Sequence, residues 1–153
     1  MPVNFTGKWT LDGTENYEKF LIDMKVPEAL HAALASASDL EIVHEGNTVK
    51  YRRERGDDIF EIAIVIGEEY TESTYGYTEV RVCNWEGDKL VVKAAEGGGH
   101  WTSSIEIVDG QIVATEISAG GVTAKRWFNK AWFMWKVHTY LHCMMNEIVF
   151  KHF

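Results

Sequence analysis

The chain has little cysteine, since its 153 residues include only Cys83 and Cys143. Two cysteines so far apart exclude the disulfide framework of a small secreted domain and fit reduced thiols in a cytosolic protein. We expect each of them to pack as a small buried hydrophobe. The opening MPVNFTGKW also lacks a basic region followed by an apolar run, so we expect no secretory signal and predict a cytoplasmic protein.

Positive charge is also scarce, with 15 Lys and Arg against 23 Asp and Glu, which gives a formal net charge of -8. Nucleic-acid binding depends on a surplus of basic side chains that release counterions from phosphates. The charge balance therefore excludes a DNA or RNA partner. What remains is a chain with 46% hydrophobic residues, which is enough apolar material for the core of one globular domain.

Helical periodicity is confined to one stretch in the body of the chain, from Thr14 to Ala37. In its first half, apolar side chains recur at i, i+3, i+4 and i+7, namely Tyr17, Phe20, Leu21 and Met24. Thr14 is the expected N-cap of this helix, and Pro27 is the expected first residue of a second one. The second helix would carry along one side Val26, Leu30, Ala33, Leu34 and Ala37. Two such short helices must pack their apolar faces on another layer of the structure. They would form either a lid over a cavity or a plug at one end of the fold.

The rest of the body has strand character, interrupted by turn signals such as Gly46-Asn47 and Asp109-Gly110. We predict strands over residues 4–11, 40–45, 48–54, 59–66, 69–74, 78–85, 89–95, 100–108, 111–118 and 122–129. Their close spacing favours antiparallel hairpins. About ten strands with only one helical hairpin to cover them favour closure into a barrel. Because about eight strands already enclose room for one small ligand, such a barrel should contain a cavity.

A charged residue interrupts the apolar alternation of the last predicted strand. Arg126 lies between Ala124 and Phe128 at alternate positions. An inward arginine would bind a ligand carboxylate, whereas an outward one would be solvated, and the pattern alone favours the outward position. Glu116 on the preceding strand, or Thr115 in a register shifted by one residue, is a candidate internal partner.

Several segments, in order from Asn4 to Ala131, resemble the intracellular lipid-binding proteins, the fatty-acid-, bile-acid- and retinoid-binding proteins of the cytosol. The matching segments are Phe5-Thr6-Gly7-Lys8-Trp9, Glu15-Asn16-Tyr17-Glu18-Lys19-Phe20, Val26-Pro27-Glu28-Ala29-Leu30, Ile66-Gly67-Glu68-Glu69, Glu86-Gly87-Asp88-Lys89-Leu90-Val91 and Gly120-Gly121-Val122-Thr123-Ala124-Lys125-Arg126. Pro27-Glu28 and the Gly120–Thr123 segment are similar to the liver-type and bile-acid-binding branch. The resemblance implies an all-β fold, a ten-stranded antiparallel up-and-down β-barrel of the calycin type capped by a helix-turn-helix lid. It also implies a carrier of a fatty acid or bile salt, with neither catalysis nor a cofactor.

The resemblance further implies a ligand-binding site. In this family two arginines and a tyrosine on the last strands bind the ligand carboxylate. Arg126 matches one of the arginines, but Phe128 stands at the position of the tyrosine and Ile105 stands near that of the other arginine. The head-group site is therefore incomplete, as it is in the liver-type branch. By family position, the remaining cavity-lining candidates are Tyr17, Phe20, Leu21, Leu30, Leu34, Phe60, Ile62, Tyr75 and Trp101.

The resemblance ends at Ala131, and residues 132–153 form an extension rich in aromatic residues and Met. Lys136, Glu147 and Lys151 interrupt it too often for a transmembrane helix. Helical spacing indicates an amphipathic face formed by Met134, Val137, Leu141, Met144, Met145 and Ile148. This face would dock on the barrel, pair with a second copy in a homodimer, or contact a membrane surface transiently, unless the segment is translated non-coding sequence.

An interaction module that uses residues 132–153 to bind a partner or membrane is therefore the alternative to a carrier. The same segment contains His138 and His142 at i and i+4, with Cys143 beside them. These side chains make an incomplete ligand set for zinc, so we predict no metal site.

Overall fold

A computed structural model of the chain describes residues 3–36, 39–55 and 58–131, and these residues form ten strands and two short helices joined by a 3₁₀ turn. The strands are β1 (Gly7–Glu15), β2 (Asp39–Glu45), β3 (Thr48–Arg55), β4 (Asp58–Val65), β5 (Glu69–Thr74), β6 (Tyr77–Glu86), β7 (Lys89–Ala94), β8 (Trp101–Val108), β9 (Gln111–Ser118) and β10 (Thr123–Lys130). Between β1 and β2 lie α1 (Tyr17–Asp23), the 3₁₀ turn (Glu28–Leu30) and α2 (His31–Ala35). We call residues 17–35 the helical cap. The extension of residues 132–153 lies outside the described residues, so its predicted helix, dimer contact and histidines are not addressed by this structure.

All strand pairs are antiparallel, in the order β4-β3-β2-β1-β10-β9-β8-β7-β6-β5. Strand β1 joins the two halves of this order, since Trp9 lies opposite Leu40 of β2 and opposite Lys130 of β10. The ends of the order, β4 and β5, are the edges of a nearly closed barrel. This architecture confirms the predicted all-β, up-and-down barrel with a helical cap.

The predicted strands from β2 onward agree with the structure to within about two residues, but the start of the chain differs. Strand β1 covers Gly7–Glu15 rather than residues 4–11, and Thr14 is not a helix N-cap because it pairs with Arg126 of β10. Pairing with β10 satisfies the backbone hydrogen-bonding groups of β1 up to Glu15. The chain turns into α1 at Asn16, whose φ of 57° lies in the left-handed region that Asn tolerates.

Helix α1 has the apolar face that the sequence predicts. Its side chains Tyr17, Phe20 and Leu21 are buried, as is Met24 directly after it, and they pack with Trp101. A helix of seven residues has too few hydrogen bonds to be stable alone in water. Packing of this face on the barrel therefore stabilises α1.

The predicted second helix is wrong in its start and in part of its apolar side, because Val26 and Leu34 pack in the cluster beneath it whereas Leu30 does not. Pro27 is extended, with a ψ of 136°, and the 3₁₀ turn intervenes before α2 begins at His31. Because a 3₁₀ turn has three residues per turn instead of 3.6, it shifts the following side chains around the axis. His31 is buried and its Nε2 lies 2.8 Å from the Val26 carbonyl oxygen, whereas Leu30 is 51% exposed. Ala33 is also exposed, and Ala37 is outside the described residues.

A second apolar cluster connects the N-terminal segment to the strands. Phe5 is fully buried, Trp9 Nε1 donates a hydrogen bond to the Phe5 carbonyl oxygen at 3.0 Å, and Phe128 belongs to the same cluster. Within the part of the chain that the structure describes, no helix has the length and apolar character needed to cross a membrane.

The helical cap is attached to the barrel at Asp23. Ser118 Oγ of β9 donates a hydrogen bond to Asp23 Oδ2 at 2.5 Å. Gly120 lies directly behind the same carboxylate, because a Cβ atom added at Gly120 would be 2.5 Å from Asp23 Oδ2. The absence of a side chain at Gly120 thus allows the end of α1 to approach the β9–β10 turn.

We predict that Gly120→Ala lowers the free energy of unfolding by about 1–3 kcal/mol, because the methyl group overpacks this contact. Urea denaturation measures the change. In an Asp23→Ala background, Gly120→Ala should lower the free energy of unfolding much less, because the carboxylate that the methyl group would meet is absent. Equal costs in the two backgrounds would show that Gly120 does not act through Asp23.

Candidate functional site

A cavity of about 150 Å³ lies inside the barrel. Its lining combines members of both apolar clusters, such as Ile64 and Leu90 from one and Trp101 from the other, so the cavity lies between them. Most of the lining is apolar or aromatic. A cavity of this kind with a few polar groups is the usual form of a small-molecule site.

Strands β3 and β4 supply a double row of lining residues. Alternate side chains of a strand point to the same face, and on β3 these are Val49, Tyr51 and Arg53. The register places Ile64, Ile62 and Phe60 of β4 opposite them, in that order. The row is therefore apolar except at Arg53.

Arg126 points inward and is only 6% exposed, which contradicts the outward position favoured by the strand pattern. Its Nη2 donates a hydrogen bond to Glu116 Oε1 at 2.7 Å. Ala124 is opposite Glu116 in the ladder, and Arg126 is opposite Ala114, so the two charged residues are diagonal neighbours on one face. The internal partner of Arg126 is therefore Glu116 and not Thr115.

Two tyrosines extend this ion pair into a network. Tyr75 Oη donates a hydrogen bond to Glu116 Oε2 at 2.7 Å, and the Tyr17 hydroxyl lies 3.0 Å from that of Tyr75. The guanidinium of Arg126 lies 4.6 Å from the centre of the Tyr17 ring. Burial raises the pKa of both tyrosines, and the charge of Glu116 raises it further. Burial by itself would lower the pKa of Arg126, but attraction to Glu116 outweighs it, so the net shift is upward. The network thus holds neutral tyrosines around a balanced ion pair.

A second charged cluster surrounds Arg81, which is fully buried beside the cavity. Its Nη1 donates to Glu79 Oε2 at 3.0 Å and to the Trp101 carbonyl oxygen at 2.9 Å. Glu72, which lines the cavity, lies 3.9 Å from Arg81 Nε and accepts a hydrogen bond from Tyr70 Oη at 3.0 Å. Burial raises the pKa of Tyr70, and Glu72 adds to that effect. Arg81 is therefore shared by two carboxylates, Glu79 and Glu72, on this side of the cavity.

Arg53 is the third buried arginine, and it lines the cavity at 3% exposure. Its Nε and Nη2 are buried and have no hydrogen-bond partner among residues 3–36, 39–55 and 58–131. Its Cζ lies 5.8 Å from the centre of the Phe128 ring. The buried lining atoms Thr74 Oγ1 and Arg126 Nη1 also lack such a partner within the same residues.

Sequence reasoning missed Arg53, Arg81 and Glu72. The missed signal is strand alternation, because Arg53 shares a face with Val49 and Tyr51 in the same way that Arg81 shares one with Cys83.

The structure brings part of the predicted site together. The predicted residues that line the cavity are Arg126, Phe60, Ile62, Tyr75 and Trp101. Tyr17 reaches the site through its hydroxyl group. The remaining cap residues pack in the cluster beneath the cap, where Phe20 and Leu21 are buried and Leu34 is partly buried.

Two of the predicted site residues lie elsewhere. Phe128 is buried in the other cluster, and its ring centre is 5.8 Å from the guanidinium carbon of Arg53 and 5.9 Å from that of Arg126. Its ring therefore lies next to both arginines. Leu30 is corrected, because the 3₁₀ turn directs it to the surface and it does not line the cavity.

Comparison with known proteins finds relatives with this architecture. The chain is 34% identical to retinol-binding protein 1 of Rattus norvegicus over 137 residues, which are 85% of this chain and 98% of that protein. It is 33% identical to the intestinal fatty acid-binding protein of Bos taurus, over 82% of this chain and 98% of the relative. It is 29% identical to the liver fatty acid-binding protein of Mus musculus, over 81% and 96%.

Among solved structures, the REP1-NXSQ fatty acid transporter Y128F mutant is similar, with a TM-score of 0.74 at 22% identity and coverage of 82% of this chain and 96% of that chain. Identity at this level shows the fold alone. No family model matches the chain.

We predict that Glu116→Gln lowers the free energy of unfolding by about 3–5 kcal/mol, because it leaves the Arg126 charge buried without a counter-charge. Chemical denaturation measures the loss. The double variant Glu116→Gln/Arg126→Met should recover much of the stability, since both charges are then absent. If the double variant were as unstable as the sum of the single changes, the ion pair would not be the cause.

Cys83 should react slowly with thiol reagents, because burial raises the pKa of its thiol from 9.0 to about 11. In a Cys143→Ser variant, labelling with an aromatic disulfide at pH 8 should be slow, because the Cys83 thiol is both protonated and inaccessible in the folded protein. Urea should make labelling fast at pH 8. Fast labelling of the folded protein at pH 8 would contradict the buried position.

Proposed function

Because the chain belongs to the intracellular lipid-binding protein family, we propose that it carries one amphipathic lipid of the fatty-acid type through the cytoplasm. Membership rests on relatives up to 34% identical over most of both chains. Those relatives are named as retinol-binding and fatty acid-binding proteins, so they are binding proteins and not enzymes. The barrel of residues 1–131 is the binding unit in this proposal.

The single observation that supports this function most directly is the cavity itself. It lies inside the barrel, most of its lining is apolar, and the two buried arginines Arg53 and Arg126 line it. An apolar chain placed there would leave water, at about 0.8 kcal/mol for each buried CH₂ group. A long chain thus gains on the order of 10 kcal/mol before the cost of association.

The size of the cavity favours a fatty acid over a bile salt, although the sequence resemblance allows both. A volume of about 150 Å³ suits a slender, flexible chain better than a bulky fused-ring steroid. The relatives do not single out the liver-type branch, since members named for retinol and for fatty acid binding lie between 29% and 34% identity. None of these three relatives is named for a bile salt.

The experiment is extraction of the purified protein with organic solvent, analysis of the extract by mass spectrometry, and titration of the delipidated protein with a long-chain fatty acid, retinol and a bile salt. We expect the fatty acid to be recovered and to bind more tightly than the other two. Tighter binding of retinol or of the bile salt would replace the proposed ligand. Binding of none of them would refute the carrier function.

A cavity-filling variant provides a matched control for this function. We predict that Ala114→Phe lowers fatty-acid affinity at least tenfold, because Ala114 lines the cavity and the added ring occupies the space of the acyl chain. Ala63→Phe adds the same ring at an exposed position of β4 and should leave affinity unchanged. Equal affinities of the two variants in a titration would place the lipid outside the cavity.

A further inference from the structure

We propose that Arg53 binds the anionic head group of the ligand, so that the cavity selects a carboxylate lipid over the corresponding alcohol. This inference rests on the proposed carrier function and adds the residue that determines its specificity. It differs from the resemblance-based expectation, in which Arg126 binds the carboxylate.

Arg53 differs from the other two buried arginines in its ion pairs. Arg126 is paired with Glu116 at 2.7 Å, and Arg81 lies 3.0 Å from Glu79 and 3.9 Å from Glu72. Among the residues that the structure describes, no carboxylate forms an ion pair with Arg53. Since arginine keeps its charge in proteins, Arg53 is a buried cation without a directly paired carboxylate in that part of the chain. A buried cation without a partner is costly, and a ligand anion would remove that cost.

The donors of Arg53 that lack a partner also have a suitable geometry. The Nε–H and one N–H of Nη2 point in parallel along one edge of a guanidinium, which is the arrangement that binds both oxygens of a carboxylate. In Arg53 both of these nitrogens are buried without a partner, whereas in Arg126 the buried nitrogen without a partner is Nη1. Arg53, a residue of the cavity lining, therefore offers a complete bidentate edge.

Arg126 is a poorer site for an anion. Its Nη2 is hydrogen-bonded to Glu116, so an oxygen anion at Nη1 would lie near the Glu116 carboxylate and be repelled by it. Tyr75 donates its hydroxyl proton to Glu116 as well, so it cannot also donate it to the ligand. The Glu116 carboxylate thus competes with a ligand anion for Arg126.

The position of Arg53 also defines a path for the acyl chain. Arg53, Tyr51 and Val49 follow one another on the inner face of β3, and two residues of a strand span about 6.6 Å. The chain would extend from Arg53 along Tyr51 to Val49, a distance of about 13 Å. Ile62 and Ile64 lie beside the last two positions on β4 and would contact the chain from the same wall of the cavity.

The test uses the full-length, delipidated protein and two probes, hexadecanoic acid and hexadecanol, with affinities measured by displacement of a fluorescent lipid. The variant is Arg53→Met, which keeps the length of the side chain and removes the charge. The matched control is Arg52→Met, which removes a charge at the next residue. Arg52 is on the outer face, where it contacts Glu61 at 3.1 Å and Glu54 at 3.3 Å.

We expect Arg53→Met to weaken hexadecanoic acid about 10- to 100-fold and to leave hexadecanol almost unchanged, while Arg52→Met alters neither. The midpoint of thermal unfolding should not fall in Arg53→Met, because removal of an unpaired buried charge is neutral or stabilising. Equal weakening of both lipids together with a lower midpoint would make Arg53 a structural residue and overturn the inference.

Three further outcomes separate this inference from the carrier function. If both lipids bind but the wild type shows no preference for the acid, or Arg53→Met keeps that preference, the Arg53 assignment is wrong and the carrier function stands. If Glu116→Gln/Arg126→Met abolishes the preference and Arg53→Met does not, Arg126 is the head-group residue. If neither lipid binds to the wild type, the carrier function itself fails.

Discussion

The fold depends on the double pairing of β1, which is hydrogen-bonded to β2 on one side and to β10 on the other. Without β1, strands β2 to β4 would be separated from β5 to β10, and both pieces would expose open edges. Pairing of β1 with both pieces creates an interior in which side chains of opposite walls face each other. The pairing continues to Glu15, so α1 begins only two residues later and covers this interior.

Local signals explain why most of the fold was predictable. Turns such as Gly46-Asn47 and Asp109-Gly110 fix the ends of the strands, because the left-handed φ values they require are characteristic of these residue types. The apolar face of α1 was predictable because its apolar residues recur at helical spacing within one short segment. The buried side of the second helix was not predictable in this way. The 3₁₀ turn at Glu28–Leu30 changes the angular spacing of the side chains, so that His31 is buried and Leu30 is exposed. The end of β1 depends on a partner strand more than 100 residues away, which no local pattern contains.

The site was less predictable than the fold, because inward and outward arginines have the same appearance in the sequence. Arg52 and Arg53 are neighbours, yet Arg52 forms surface ion pairs and Arg53 is buried. The alternation of Val49 and Tyr51 would have assigned Arg53 to the inner face, but it says nothing about partners. Only the register between β9 and β10 shows that Glu116 neutralises Arg126. The family resemblance identified Arg126 as a site residue, but only the three-dimensional structure shows which charged groups surround it.

The charges of the interior and the apolar lining contribute different properties to binding. Burial of an acyl chain contributes on the order of 10 kcal/mol before association costs, but it is non-directional and almost independent of the head group. One charge-assisted hydrogen bond contributes about 1.5–3 kcal/mol, and it depends on the identity of the partner. Ion pairs completed within the protein, such as Arg126 with Glu116, have little attraction left for a ligand. Selectivity must therefore come from a group that the protein leaves without an ion-pair partner, and in the described wall of the cavity that group is Arg53.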